Sequence, residues 1–441
     1  MLKRASMPLV PTLANSNAVS KRYRAYVFTV LTCVSTLSYL DRQIVNILAE
    51  PIKRDLQLAD WQLGMITGLS FAIFYCVLGI PIARLADRSH RPRIIAISLA
   101  TWSAFTLLCG LSQNFFQMLL ARVGVGSGEA GGTPPSHSLI ADLTTPQNRA
   151  SALALFSLGF PLGALIGMGA GGMLADAFGW RSAFFIAAAP GLLLALLVAL
   201  TIKEPRRDAA VPAPTSTLRE SLTELAGKKT FWWITAGGSA SGLVIYGQNA
   251  FYGSFFLRHH SAEMATWSPT LGALGVLGLL LGVVSGGAGI LGMLLGGKIT
   301  DVAVKRSLRS YCTVPALALT PAAPLFMYVV LAPSAVIAAA VLFVPVLLHA
   351  MIFGPSFAAI QTLVRPQTRA TAAAVALLVI TLVGLGLGPV MVGALSDLFA
   401  QKLGSAEGLR WAMAIQTPII AVAAGCFWMA RRTVLQELET E

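Results

Sequence analysis

Four charged side chains stand deep inside long apolar stretches of this sequence: Asp41, Arg42, Arg122 and Glu129. Two carboxylates and two guanidiniums can take up and release protons, and the guanidiniums can hold an anion. On insertion scales each such group costs about 2.5–3.5 kcal/mol at the centre of a membrane helix, so four of them need a reason. A structural ion-pair cluster would be one reason and a working site the other. Asp41 lies eight residues before Ala49 ends its stretch, and Arg122 seven residues after Phe115 opens another. At about 1.5 Å rise per residue both sit roughly 10–12 Å below one surface, which predicts an Asp41–Arg122 pair. Arg42, turned about 100° from Asp41, must point elsewhere, and Glu129 lies roughly 10 Å deeper than Arg122 on the same helix face. A carboxylate beside a guanidinium stays ionised, whereas a buried one without a close cation takes up a proton more readily. Glu129 is therefore the expected proton carrier and Asp41 the second, with Arg42 and Arg122 as charge partners able to hold an anionic head group. Asn46, Tyr246, Gln248, Asn249 and His349 are polar groups that could line a cavity, although hydrogen bonds between helices explain them as well.

The elements that position these groups follow from composition. Only 12% of the 441 residues are charged and 56% are hydrophobic, with a mean hydropathy of +0.72. Soluble domains carry about 25% charged residues, so the chain is suited to a lipid solvent. A helix crossing the hydrocarbon needs roughly 20 apolar residues. On that measure spans are expected at 24–49, 61–86, 92–111, 115–141, 150–175 and 182–202, then at 231–257, 270–297, 311–331, 335–364, 371–395 and 408–430. The expected fold is all-α, twelve membrane helices in two bundles of six. It divides into a tail (1–23), a first bundle (24–202), a linker (203–230), a second bundle (231–431) and a closing tail (432–441).

Loop charge sets the orientation. With the N-terminus inside, only Lys53, Arg54, Arg181, Arg258, Lys402 and Arg410 among the loop Lys and Arg fall outside, so both termini are expected in the cytoplasm. In the linker, Thr217-x-x-Glu220 precedes Leu218, Leu222 and Leu225 at helical spacing, the start of a short amphipathic helix with a capping box. The halves also repeat. Pro146-Gln147-Asn148-Arg149-Ala150 returns as Pro366-Gln367-Thr368-Arg369-Ala370, and Gly172-Met173-Leu174-Ala175-Asp176 as Gly393-Ala394-Leu395-Ser396-Asp397. Duplicated halves of this kind pack around a site near the midplane.

The loop after the second span reads Ala83-Arg84-Leu85-Ala86-Asp87-Arg88-Ser89-His90-Arg91-Pro92-Arg93, with a degenerate copy at Gly297-Lys298-Ile299-Thr300-Asp301, Lys305 and Arg306. It resembles the G-x-L-A-D-R-x-G-R-K signature of the major facilitator superfamily, with Ala83 and His90 in place of its two glycines. The resemblance implies a gating latch made by Asp87, Arg88, Arg91, Arg93, Asp301, Lys305 and Arg306. Within that superfamily, Leu40-Asp41-Arg42-Gln43 with Asn46, and Arg122-Val123-Gly124-Val125-Gly126-Ser127-Gly128-Glu129-Ala130, resemble the Spinster-like group. Animal members are linked to export of lysolipids and sphingosine phosphates, with proton coupling proposed. The resemblance thus implies alternating access, a proton as coupling ion, a small amphipathic substrate, and a monomer in the bacterial inner membrane. A multidrug or small organic-anion carrier of the same fold is the alternative.

Other chemistry is excluded or weak. The net charge of +13 sits in short loops rather than on one patch, which argues against a nucleic-acid partner. Cys33, Cys76, Cys109, Cys312 and Cys426 fall in apolar stretches without C-x-x-C spacing, so neither a disulfide framework nor a metal site is expected. No apolar run precedes Lys21, so no cleavable signal peptide is expected. Gly124-x-Gly126-x-x-Glu129 lacks the final glycine and preceding strand of a dinucleotide fingerprint, and no nucleotide-binding loop of the Walker type occurs. His259, His260 and Glu263 read as residues of a mobile outer loop, and Trp61, Trp180, Trp232 and Trp233 as an interfacial belt. Gly384-x-x-x-Gly388-Pro389, with Gly163 and Gly167 as a looser copy, suggests tight packing at a gating interface. No catalytic constellation survives the topology, and a membrane sensor remains a distant alternative.

Overall fold

The computed structural model describes residues 20–205, 217–264, 266–268 and 271–437, and these are helical with no strands. Helix coincides with each of the twelve expected spans. We label them α1 (Lys21–Ile47), α2 (Asp60–Ala86), α3 (Arg91–Leu111), α4 (Phe115–Glu129, continued by Thr133–Asp142), α5 (Ser151–Phe178) and α6 (Trp180–Thr201). The second set is α7 (Lys229–His259), α8 (Ala273–Val304), α9 (Ser310–Leu331), α10 (Ala335–Leu363), α11 (Arg369–Leu403) and α12 (Ser405–Glu437). Nine of these among the described residues are long and apolar enough to cross a membrane; α1, α4 and α7 are the others. Charges and amides lower the hydropathy of α1 and α7, and a break in α4 leaves its longer piece at 15 residues.

Packing bears out the repeat. In the first half α5 packs on α1 and α6 on α3; in the second α11 packs on α7 and α12 on α9. Arg149 donates to the Ala141 carbonyl eight residues earlier, and Arg369 to that of Gln361, again eight earlier. Between the halves lie two seams, α5 against α8 and α2 against α11. They close on glycine. A β-carbon on Gly278 would come 2.2 Å from the Met168 carbonyl oxygen, and one on Gly393 2.2 Å from that of Asp60. The Gly384/Gly388 run sits elsewhere: its glycines press on Gly242 and Leu243 of α7 within their own half, as Gly163 and Gly167 press on α1. Those four glycines pack within their own halves, while Leu385, Gly386 and Pro389 of the same run reach across to Gly68, and Pro389 also to Gly64. Gly278→Ala should wedge the α5–α8 seam apart at a cost of roughly 1–3 kcal/mol. The thermal midpoint of purified protein should fall accordingly, and an unchanged midpoint would show that the seam has slack.

Residues 20, 203, 228 and 437 share one end of the bundle, here the terminal end. There Tyr23 meets Thr201 and Lys203, and Glu437 accepts from the backbone of Lys229 and Thr230. The linker helix Leu218–Gly227 lies there too, with the expected capping box between Thr217 and Glu220. Its Glu224 accepts from the Arg365 backbone and the Thr368 hydroxyl, which fastens it to the second half. Residues 1–19, 206–216 and 438–441 lie outside the described residues.

Candidate functional site

Local breaks in the helices set the site. At Gly131-Gly132-Thr133-Pro134-Pro135, α4 unwinds for three residues, because glycine disfavours helix and proline withholds an N–H. Glu129 is the last residue before that break. On α2, Met65–Leu69 winds as π-helix, as does Thr381–Leu387 on α11. Such segments mark functional positions in many proteins. The Ile66 carbonyl in the first accepts a hydrogen bond from Arg122 Nε at 3.2 Å.

The pairing differs from the expectation. Asp41 does not meet Arg122: its Oδ2 accepts from the Thr106 hydroxyl at 3.0 Å, and its Oδ1, buried, has no partner among the described residues. Glu129, expected to lack a cation, is paired with Arg42 through Nη2 at 2.7 Å and Nε at 2.8 Å. Ser38 adds a hydrogen bond to the same carboxylate oxygen at 2.7 Å. Matching depths had fixed height along the helices but not the direction in which each side chain leaves. Arg42, one residue on from Asp41, turns to α4 and also lies over the rings of Phe71 and Tyr75 at 4.5 and 4.7 Å. Arg122 is left with no carboxylate among the described residues within 4.0 Å, although it is only 1% exposed.

A central cavity of about 60 Å³ lies between the halves. That is room for about two waters. Arg42, Asn46 and Arg122 line it from the first half, and Tyr246 and Asn249 from the second. Gln248 and His349 do not. Gln248 donates to Thr417 and Met413 within its own half and accepts from Tyr252, while His349 is buried against Phe353. Both serve packing. The sequence reading overlooked Gln43, whose side-chain oxygen accepts from Asn46 at 3.2 Å and, across the halves, from Asn249 at 3.0 Å. It also overlooked Tyr39, Thr67, Phe71 and Thr381. Tyr39, Gln43 and Asn46 recur at i, i+4 and i+7, a polar face on α1 that periodicity could have exposed.

Beside this cavity an apolar groove of about 530 Å³ lies between α2 and α11, walled by residues such as Leu69, Ile73, Val77, Leu378 and Leu382. Leu385 of the cavity and Leu382 of the groove are neighbours on α11, so a cationic pocket and an oily one adjoin.

At the distal end, opposite the terminal end, an ion network joins the halves. Arg258 of α7 grips Asp60 with both Nη atoms at 2.8 Å and Glu50 with Nε at 2.9 Å. Lys53 and Ser396 complete the shell around Asp60. Sequence reading had counted Lys53 and Arg258 only as topological charge. At the terminal end, Arg91 is buried and bound to Asp142 and Ser138 of the first half and to Glu204 at the start of the linker. Arg93, Asp301, Lys305 and Arg306 are exposed; the side chains of Asp87 and Arg88 lie outside the described residues.

The histidine cluster also needs correcting. His260 is buried, and burial pushes its pKa below the ordinary imidazole value. His259 bonds the Ala406 carbonyl, and Glu263 accepts from the Ala335 N–H that starts α10. These are structural contacts rather than loop solvation, and no metal-ligand cluster occurs among the described residues. Trp61, Trp232 and Trp233 are exposed as a belt requires, whereas Trp180 is buried and donates to Asp55.

Comparison with known proteins places this arrangement. A family model for the Major Facilitator Superfamily matches residues 31–389. An MFS-type efflux pump of Mycolicibacterium smegmatis is 34% identical, covering 92% of this chain and 94% of its own. Protein spinster homolog 1 of Xenopus tropicalis is 26% identical over 95% of this chain and 82% of its own. The crystal structure of a bacterial homolog to the human lysosomal transporter Spinster, inward-facing and unoccupied, superposes with a TM-score of 0.85 at 30% identity, covering 96% of this chain and 100% of that one.

Proposed function

The chain belongs to the Major Facilitator Superfamily as a multi-pass membrane transporter of Spinster type, and from that premise we propose that it moves a small amphipathic anion by proton-coupled alternating access. The carrying observation is Arg122, a buried guanidinium that lines the central cavity and has no carboxylate among the described residues beside it. A buried charge of this kind is costly until an anion joins it. Glu129 occupies the second guanidinium, Arg42. When Glu129 takes a proton the pair dissolves, and Arg42 can join Arg122 on an anionic head group. Asp41, with an unpartnered oxygen, is the second proton carrier. The adjoining groove supplies an apolar wall for a chain, which favours a lysolipid or sphingoid phosphate. The distal end is the outside in this reading, because loop Lys and Arg concentrate at the terminal end; both termini are then cytoplasmic, and the membrane is the inner one. A carrier of unrelated drugs is the second reading, favoured by the efflux-pump relative.

The test is uptake into proteoliposomes under an imposed pH gradient, with lysolipids and sphingoid phosphates set against drugs and sugars. Saturable, gradient-dependent movement of the anionic amphiphiles alone is expected; movement of drugs alone would favour the second reading, and indifference to the gradient would end the proton-coupled one. Arg122→Gln should weaken binding of an anionic amphiphile by roughly tenfold or more, since a hydrogen bond to a charged group contributes about 1.5–3 kcal/mol. An uncharged amphiphile should bind as before. Equal losses for both would mean that Arg122 only supports the fold.

A further inference from the structure

Helices α2 and α8 begin at the distal end on residues that cannot cap them. Ala59 stands at the N-cap of α2 and Gly272 at that of α8, and neither side chain bonds the first turn. Helix N-termini leave backbone N–H groups without intrahelical partners, and a carboxylate there satisfies both their hydrogen bonds and their partial positive charge. In both cases a carboxylate arrives from the opposite half. Asp397 at the end of α11 accepts from the N–H of Asp60 at 3.0 Å and of Trp61 at 2.8 Å, the first two residues of α2. Asp176 at the end of α5 accepts from the N–H of Gly275 at 2.6 Å, the third residue of α8.

The two contacts are copies. Gly172 and Gly393 each stand one turn before their aspartate, on the same helix face. Each lies against the backbone of the helix it helps to cap: a β-carbon would come 2.3 Å from the Leu274 oxygen in one case and 2.2 Å from the Asp60 oxygen in the other. On α8 even the cap position is cleared, since a β-carbon on Gly272 would fall 2.4 Å from the Asp176 carboxylate. Glycine admits the helix end and aspartate binds it, in both repeats.

We propose that Asp176 and Asp397 are a twofold-related pair of positioning residues whose carboxylates cap α8 and α2 in trans and so hold the transporter closed at its distal end. The pair rests on the alternating-access reading. When the distal ends separate, both caps are lost together, so each aspartate favours the closed state alone. Asp397 makes two hydrogen bonds and is half-buried, whereas Asp176 makes one and is exposed, so Asp397 carries the larger share.

The test uses Ala250→Cys, which lines the cavity, in a background whose five native cysteines are replaced, and an impermeant maleimide added from the outside. Asp176→Ala should speed labelling roughly threefold and Asp397→Ala about tenfold, the scale of one lost cap in each case. The double variant should approach the product. Ala59 already has the extended backbone of a cap residue, so Ala59→Ser in the Asp397→Ala protein caps α2 in cis. A cis cap stabilises both states equally and shifts nothing between them. It should therefore restore the thermal midpoint and leave labelling fast. Labelling at the parent rate in both single variants would overturn the proposal, as would its return to that rate with Ala59→Ser. Failure of the underlying reading looks different: the parent protein itself would label at one rate whatever the pH gradient.

Discussion

Arg258→Ala is expected to open the distal end about a hundredfold. The guanidinium is 5% exposed and binds two carboxylates that are themselves at most 6% exposed. Removing one partner from a buried ion network costs about 3–5 kcal/mol, because the remaining charge stays desolvated. Lys53 still serves Asp60 and Arg54 still serves Glu50, so the low end of that range applies, near 3 kcal/mol. At about 1.4 kcal/mol per tenfold that is roughly two decades in the balance of states. Impermeant maleimide reaching a cysteine at position 250 from the outside should react about a hundredfold faster, while Arg258→Lys, which keeps the charge but not the fork, should fall between. Unchanged reaction in a folded Arg258→Ala protein would mean that the network decorates a closure held elsewhere.

Glu129→Gln should uncouple transport from the pH gradient entirely. The amide keeps the shape and can still accept from Ser38, yet it neither ionises nor neutralises Arg42. Arg42 is then permanently free beside Arg122, so binding of an anionic amphiphile should become tighter and independent of pH, while concentrative uptake disappears. Exchange of labelled for unlabelled substrate, which needs no net proton movement, should survive. If the Gln variant still concentrated substrate with the parent pH response, the proton would have to be carried elsewhere, and Asp41→Asn would be the next variant to measure.

The membrane fold was legible in the sequence because lipid tolerates so little charge that the spans reveal themselves, and the duplicated Pro-Gln-x-Arg loops gave away the two halves. The four charges inside the spans were legible for the same reason. Their partners were not. Asp41 and Arg122 share a level, but level says nothing of azimuth or tilt, and Asp41 in fact faces Thr106 on α3. The distal network escaped because Glu50, Asp60 and Arg258 come from three short segments, two of them some two hundred residues from the third, each an ordinary loop charge when read alone. Gln248 and His349 failed in the opposite sense: a polar residue on an apolar helix advertises a need for a partner without saying whether that partner is solvent, substrate or the next helix.

The π-wound stretches of α2 and α11 have a mechanical corollary. A π turn stores one more residue than an α turn, so each such stretch is a coil holding slack. Rewinding the one in α2 to ordinary pitch would swivel everything toward its far end by about 100°, carrying Phe71 and Tyr75 away from Arg42. A single residue of twist in α2 would then change which side chains line the cavity.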